Sequence, residues 1–243
     1  MPAPRRHEVV LNATSRRSAC LQMAFFDVDG TCVDTTILHY YVWFVRDRVA
    51  PPWRWLRIGK LLSLVPYYWV LDQVSRTAFS IAFYRAYAGI AAAELEEWGR
   101  TTLRQRLLPH VYPGARAEIS ALGRDGVPIT FVTGSLPAVV EPVRQLAAQE
   151  GSPAEVLGSV LAVRRGVFTG DLEGAPLASE AKRRRLESLA TERGISLEQC
   201  AAYGDSMADL PMLEAVGQPV AANPTPSLRR IARRRGWTIC DWA

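Results

Sequence analysis

The chain lacks the residues and runs that mark several common classes of protein. Its four cysteines, Cys20, Cys32, Cys200 and Cys240, are widely spaced, with no C-x-x-C pair and no Cys/His cluster. That argues against a zinc site or a redox dithiol and points to a reduced, intracellular setting. Residues 1–20 carry Arg5, Arg6, Arg16 and Arg17 but no apolar run of the ~7–15 residues a secretory signal needs, so they read as a mobile basic tail. The apolar stretch 61–71, with Lys60 before it and Pro66 inside it, is too short to span a bilayer. Internal repeats, low-complexity tracts and the usual nucleic-acid-binding modules are all missing, so no nucleic-acid partner is expected.

What is present is a soluble globular composition. The 243 residues, 49% hydrophobic, are enough for a well-filled core in one or two domains. A net charge of +5 and a pI near 9.2 favour an anionic partner but do not by themselves separate phosphate metabolites from lipid headgroups.

The stretch around which the rest is organised is Ala24-Phe25-Phe26-Asp27-Val28-Asp29-Gly30-Thr31. A buried strand over 21–26 would place Asp27 and Asp29 just past its C-terminal end, where open parallel α/β sheets form their ligand crevice. From residue 34 to 109 the chain is aromatic and aliphatic. It reads as helices over 37–49, 53–65, 74–87 and 91–108, with breaks at Pro51-Pro52 and at Pro66, which ends or kinks the second. Beyond Val111 helices alternate with short apolar strands: helix 115–122, strand 128–132, helix 137–148, and two strands, 156–163 and 167–169, joined by a turn. Helix 182–192, strand 200–203, helix 207–216, strand 219–222, helix 227–235 and strand 237–239 complete the chain. The pattern predicts a doubly wound parallel α/β sheet built from 21–33 and 110–243, with 34–109 inserted as a helical cap whose two ends lie close together.

Two more strand ends line up with the first. Strand 129–132 ends in Thr133-Gly134-Ser135, and strand 201–203 ends in Gly204-Asp205-Ser206-Met207-Ala208-Asp209, with Lys182 at a helix start between them. If the strands are parallel neighbours, Asp27, Asp29, Thr133, Lys182, Asp205 and Asp209 converge at one sheet edge. Carboxylates this close repel and raise one another's pKa. A hard divalent cation relieves the conflict, and oxygen ligands suit Mg²⁺, which commonly works with a phosphate. One Asp can then attack phosphorus, and the other can move protons. Thr133, the Gly134 amide and Lys182 can hold the transferring oxygens.

FFDVDGT, FVTGS, the isolated Lys182 and YGDSMADLPML resemble, in order, the four motifs of the haloacid dehalogenase superfamily. The resemblance runs from Phe25 to about Ile239. The helical insertion between the first and second motifs is similar to the phosphoserine phosphatase-like branch. The tail from Val220-Ala221-Ala222-Asn223-Pro224-Thr225 to Gly236-Trp237 resembles a group of small hydrolases within it. The resemblance implies Asp27 as nucleophile and Asp29 as acid and base, with the Asp29 main-chain carbonyl also on Mg²⁺. It further implies Asp205 as metal ligand, Asp209 as a supporting carboxylate with Ser206 beside it, and Thr133 and Lys182 as phosphate binders. The chain departs from phosphoserine phosphatases at Ala208, where they carry Asn.

Plainer uses of these residues stand beside the chemical ones. Asp27, Asp29, Asp205 and Asp209 can cap turns or helices, and Lys182 opens a run with Arg183, Arg184 and Arg185 that can be a solvated face. His39 and His110 bracket the insertion without a sequence-adjacent partner and read as hinge packing. Ser135 lies in no nucleophile elbow and reads as a further hydroxyl on the phosphate side.

Between residues 38 and 71 the insertion carries Trp43, Trp53, Trp55, Trp69, four tyrosines and five basic residues against one acid, Asp47. On a helical projection Trp55, Ile58, Leu62 and Val65 share a face, and Trp53, Leu61 and Leu64 lie among the basic positions. Such a surface fits packing against the core, a homodimer contact, or a membrane interface. The expected activity is a Mg²⁺-dependent phosphatase of an amphiphilic phosphomonoester, such as a lysophospholipid or isoprenoid phosphate. A small polar phosphate is the alternative substrate, transfer to an acceptor other than water an alternative outcome, and a non-catalytic membrane-binding module the alternative class. The expected location is cytoplasmic, with a peripheral place at the membrane.

Overall fold

The computed structural model describes residues 21–242; the basic segment 1–20, with Cys20, lies outside them. Six strands, β1 (Met23–Phe26), β2 (Ile129–Val132), β3 (Ala154–Leu157), β6 (Cys200–Gly204), β7 (Gln218–Ala222) and β8 (Thr238–Cys240), run parallel. They form one sheet in the order β3-β2-β1-β6-β7-β8. The expected doubly wound sheet is present. Its central strands are short apolar runs buried on both sides, as parallel strands under helices must be.

Strand alternation divides the core in two. Ala24 and Phe26, with Ile129, Phe131, Ala201 and Tyr203, belong to one apolar cluster. Met23 and Phe25, with Val132, Cys200 and Ala202, belong to the other. The second cluster is closed by α8 (Glu180–Arg193), α9 (Leu210–Glu214) and α10 (Pro226–Arg235). The first continues into the helices that follow β1. These are α1 (Ile37–Arg48), α2 (Trp53–Val74), α3 (Arg76–Tyr84), α4 (Ala92–Arg100) and α5 (Thr102–Leu107), followed by α6 (Pro113–Arg124) and, after β2, α7 (Pro137–Gln149). The two ends of the helical stretch are pinned together: Asp34 N–H donates to His110 O at 3.0 Å and Tyr112 N–H to Cys32 O at 2.9 Å. His110 Nδ1 also lies 2.6 Å from Asp34 Oδ1. Helices α4 and α7 meet backbone to backbone at Gly99, where a Cβ would lie 2.0 Å from Ala138 O; any side chain there would separate them.

The structure corrects several element boundaries. The second helix does not stop at Pro66 but continues to Val74. Leu61 and Tyr68 are buried on either side of the proline, and their packing overrides the hydrogen bond Pro66 cannot make. The predicted helix 91–108 breaks at Thr101 into α4 and α5. The 74–87 helix is replaced by α3, capped by the Ser75 hydroxyl, and a 3₁₀ turn. The predicted strand 156–163 is two strands in different sheets: β3 joins the main sheet, whereas β4 (Leu161–Arg164) pairs antiparallel with β5 (Val167–Leu172). The break follows from Ser159 N–H donating to Ser135 O at 3.0 Å, which pulls the chain out of register at Gly158. A 3₁₀ turn at Met207–Asp209 precedes α9 within the expected helix 207–216.

Candidate active site

The C-terminal ends of β2, β1 and β6, neighbours in the sheet, open on one cavity of about 630 Å³. Asp27 follows β1 directly, and its N–H donates to Tyr203 O at 2.9 Å, so the sheet register itself fixes the residue. Gly30 turns the chain at φ +86°, and a Cβ there would lie 2.8 Å from Asp205 Oδ2. Only glycine both adopts that conformation readily and leaves room for the facing carboxylate.

The Asp27 carboxylate is held from both sides. Lys182 Nζ, from the first turn of α8, donates to its Oδ1 at 2.5 Å, and the Thr31 hydroxyl donates to its Oδ2 at 3.0 Å. The same ammonium donates to Asp209 Oδ1 at 2.6 Å. Asp209 Oδ2 accepts from Ser206 N–H at 3.2 Å and from the Ser206 hydroxyl at 3.0 Å. Lys182 is 3% exposed. Arg183 and Arg185, by contrast, pair with Glu187 and Glu192 at the surface, so the basic run divides into one buried cation and a solvated face.

Asp29 faces a different set of groups. The Ser135 hydroxyl donates to its Oδ2 at 2.6 Å, and the hydroxyls of Thr133 and Thr35 lie at 3.5 and 3.4 Å. Thr133 Oγ1 accepts from Ser135 N–H at 3.0 Å. Gly134 lines the cavity, and its carbonyl accepts from the Tyr84 hydroxyl of α3 at 2.6 Å. The structure therefore brings together Asp27, Asp29, Thr133, Gly134, Lys182, Asp205, Ser206 and Asp209. Thr31, Thr35 and Arg76 were not singled out from the sequence. Thr31 stood in plain view after Asp29-Gly30, whereas Arg76, which reaches the cavity from α3 beside Asp72, carried no motif.

The electrostatics divide the acids. Burial, reinforced by the Asp209 charge, pushes the Asp27 carboxyl up to about 7 despite Lys182. Burial, with Asp209 and Asp27, pushes Asp205 up to about 8. Burial also raises Asp29, against the Ser135 hydrogen bond. On Asp209 burial acts in the same direction, but Lys182 and Ser206 outweigh it and hold this carboxyl below its ordinary value. Oxygens of Asp27, Asp205 and Asp209 lie within 4.8 Å of one another. An all-oxygen, carboxylate-rich set facing a single buried ammonium suits a hard divalent cation.

The haloacid dehalogenase-like hydrolase pattern matches residues 24–214. The chain belongs to that family. Phosphoserine phosphatase SerB1 of Mycobacterium tuberculosis is 31% identical over 252 residues, covering 100% of this chain and 77% of that one. Histidinol-phosphatase of Neisseria meningitidis serogroup C is 26% identical over 242 residues, covering 90% and 98%. A crystal structure from Bordetella pertussis Tohama I, of a protein with unknown function, superposes with a TM-score of 0.73 at 26% identity, covering 92% and 99%. Family and relatives together make this hydrolase a phosphatase.

Proposed function

We propose that this phosphatase is Mg²⁺-dependent and works through an aspartyl-phosphate on Asp27. The observation that carries the reading is the Asp27 carboxylate on the cavity floor, oriented by Lys182 and Thr31, with a second, differently solvated carboxylate at Asp29. An Asp27 oxygen attacks phosphorus as the ester P–O bond breaks, and Asp29, whose carboxyl burial raises above its ordinary value, gives its proton to the leaving oxygen. Asp29 then takes a proton from the water that attacks the aspartyl-phosphate, releasing phosphate and restoring Asp27. Lys182, the Thr133 hydroxyl and the Gly134 amide receive the phosphoryl oxygens, and Ser135 orients Asp29. Asp27, Asp205 and the Asp29 main-chain carbonyl would hold Mg²⁺, with Asp209 and Ser206 in support. When bound, the ion neutralises charge on the phosphoryl oxygens. The helical segment 34–109 acts as a cap that excludes water and selects substrate. Phosphate release from an aryl phosphate, lost on chelation and restored by added Mg²⁺, tests the proposal; release unchanged by chelation refutes the metal.

Asp29→Asn separates the two acids. An aryl leaving group needs little protonation and an alkyl one needs much, so the variant should lose ~10²-fold or more on alkyl phosphates, and less on aryl phosphates in the formation of the phosphoenzyme. Rapid-quench measurement of that burst checks it; equal losses on both classes count against Asp29 as the acid.

The same acids set a pH dependence of stability. Their folded-state pKa values of about 7 for Asp27 and about 8 for Asp205 lie above the ordinary 3.8. Their stabilising contribution is therefore complete below pH ~4 and is lost as pH rises through 7 and 8. Chelated protein should melt about 6–12 °C lower at pH 8.5 than at pH 6, from roughly 3 kcal/mol of linkage in a chain of this size. Added Mg²⁺ should remove most of the difference. A flat or rising Tm in chelator would contradict the assignment.

For substrate, the proposal is an amphiphilic phosphomonoester, supported by the exposed aromatic residues of α2. A small polar phosphate is the second reading, supported by a relative named as a histidinol-phosphatase that aligns over 98% of its length. A panel of lipid and metabolite phosphates separates them.

A further inference from the structure

Helix α2 has one uncovered side, apolar along most of its length, with Lys60 exposed at its border. Leu61 and Tyr68 are buried, with Leu64 and Leu71 packed beside them, a spacing of three and four residues that marks the inward stripe. On the opposite side Trp55, Leu56, Leu62, Trp69, Val70 and Val74 are 67%, 61%, 63%, 66%, 53% and 80% exposed. The other outward positions hold Gly59, Ser63, Pro66 and Gln73. Arg54 and Arg57 continue the inward stripe and donate to the main-chain carbonyls of Val49, Ala86 and Ala88, Lys60 is exposed at the border of the outer face, and the helix has a single acid, Asp72, near its C-terminal end. At 22 residues the helix is about 33 Å long, and a monomer in water rarely leaves so long an apolar surface uncovered.

We propose that this outer face beds into the headgroup and upper acyl region of an anionic bilayer, so that the catalytic cavity meets a phosphomonoester held in the membrane. Among the described residues no helix is long and apolar enough to cross a membrane, so the helix lies along the surface. Tryptophan is favoured at that depth, and Lys60 at the border of the face can reach lipid phosphates while the apolar face stays down. Charge complementarity selects the bilayer over a second copy of the chain. The outer face carries no acid, so in a two-fold contact Lys60 would recur on both sides with none to meet it, whereas anionic headgroups supply the missing charge. The position of the helix gives the contact a use. Asp72 and Gln73, at its end, and Arg76, just beyond, line the cavity that contains Asp27. Substrate lifted from the bilayer would therefore enter beside them. The substrate class rests on the phosphatase reading; the membrane contact does not.

The full-length chain is to be sedimented with phosphatidylcholine vesicles with and without phosphatidylglycerol, alongside Trp55→Ser/Leu62→Ser/Trp69→Ser and Lys60→Gln. Wild type should partition about 5-fold better onto the anionic vesicles, with a blue shift of tryptophan emission. The triple variant should lose ~10-fold or more of that binding, and Lys60→Gln a smaller part, relieved by salt. Both variants should keep the wild-type melting curve and wild-type hydrolysis of a soluble aryl phosphate, since they alter only exposed positions. The proposal is overturned by wild type that ignores anionic vesicles, by a triple variant that binds as well as wild type, or by a wild-type dimer that the triple substitution dissociates without any vesicle binding. Vesicle binding without aryl phosphate hydrolysis would strike the catalytic reading alone, and hydrolysis without binding would strike the membrane contact alone.

Discussion

Asp27→Asn is expected to hydrolyse phosphomonoesters at no more than about 10⁻³ of the wild-type rate, since the amide oxygen is not a competent nucleophile. No neighbour can take over. Asp209 is held by Lys182 and Ser206, Asp29 is turned to Ser135, and Asp205 faces the Gly30 turn. The fold should survive, because Lys182 keeps Asp209 as partner and the new amide oxygen can still accept from Lys182 or Thr31. Stability in chelator should be unchanged or higher. Asp27 is a carboxylate that burial and Asp209 disfavour as an anion, and the substitution removes that charge from the cluster. Turnover, a thermal melt and intact mass are the measurements, the mass excluding deamidation back to Asp. Substantial turnover by undeamidated Asp27→Asn protein would remove Asp27 from the nucleophile's role.

The parts of this site that were legible in the sequence are those set by local rules. An apolar run that ends in carboxylates, as at Phe26-Asp27 and Gly204-Asp205, shows both the strand and what it carries, because a parallel strand buried on both faces can hold charge only at its ends. Contacts that depend on the folded chain left no local trace. Arg76 is an ordinary residue in helix α3 until the insertion folds back over Asp27, and Tyr84 meets the Gly134 carbonyl only across 50 positions. The break after Leu157 comes from Ser135 capturing the Ser159 amide, and the passage of α2 through Pro66 comes from buried neighbours on either side. The aromatic insertion was only half legible. Its helical projection showed apolar residues all round, and the structure buries Leu61 and packs Leu64 beside it, among the basic positions, while leaving Trp55 and Leu62 outside. Periodicity finds stripes, but when two sides of a helix are apolar it has no means of choosing which one meets the core.

Lys182→Met carries the second large effect, and it separates a structural role from a catalytic one. The ammonium is buried between Asp27 and Asp209, and it alone donates to both. Removing it leaves two buried carboxylates without a counter-ion, held only by neutral donors from Thr31 and Ser206, which costs about 3–5 kcal/mol in chelator. For a chain of this length that is about 6–20 °C in Tm. Mg²⁺ should recover part of the stability by supplying positive charge in the same place. It should not recover turnover, since Asp27 loses its orientation and the phosphoryl oxygens lose a cation; a loss of ~10³-fold is expected. Adding Asp209→Leu to Lys182→Met removes one of the stranded charges, so the double variant should regain stability in chelator while staying inactive. If the single variant kept near-wild-type turnover, the phosphate-binding cation would have to be sought elsewhere, with Arg76, already facing the cavity, as the next residue to substitute. If the double variant regained activity with stability, Lys182 would be a counter-ion for Asp209 and nothing more.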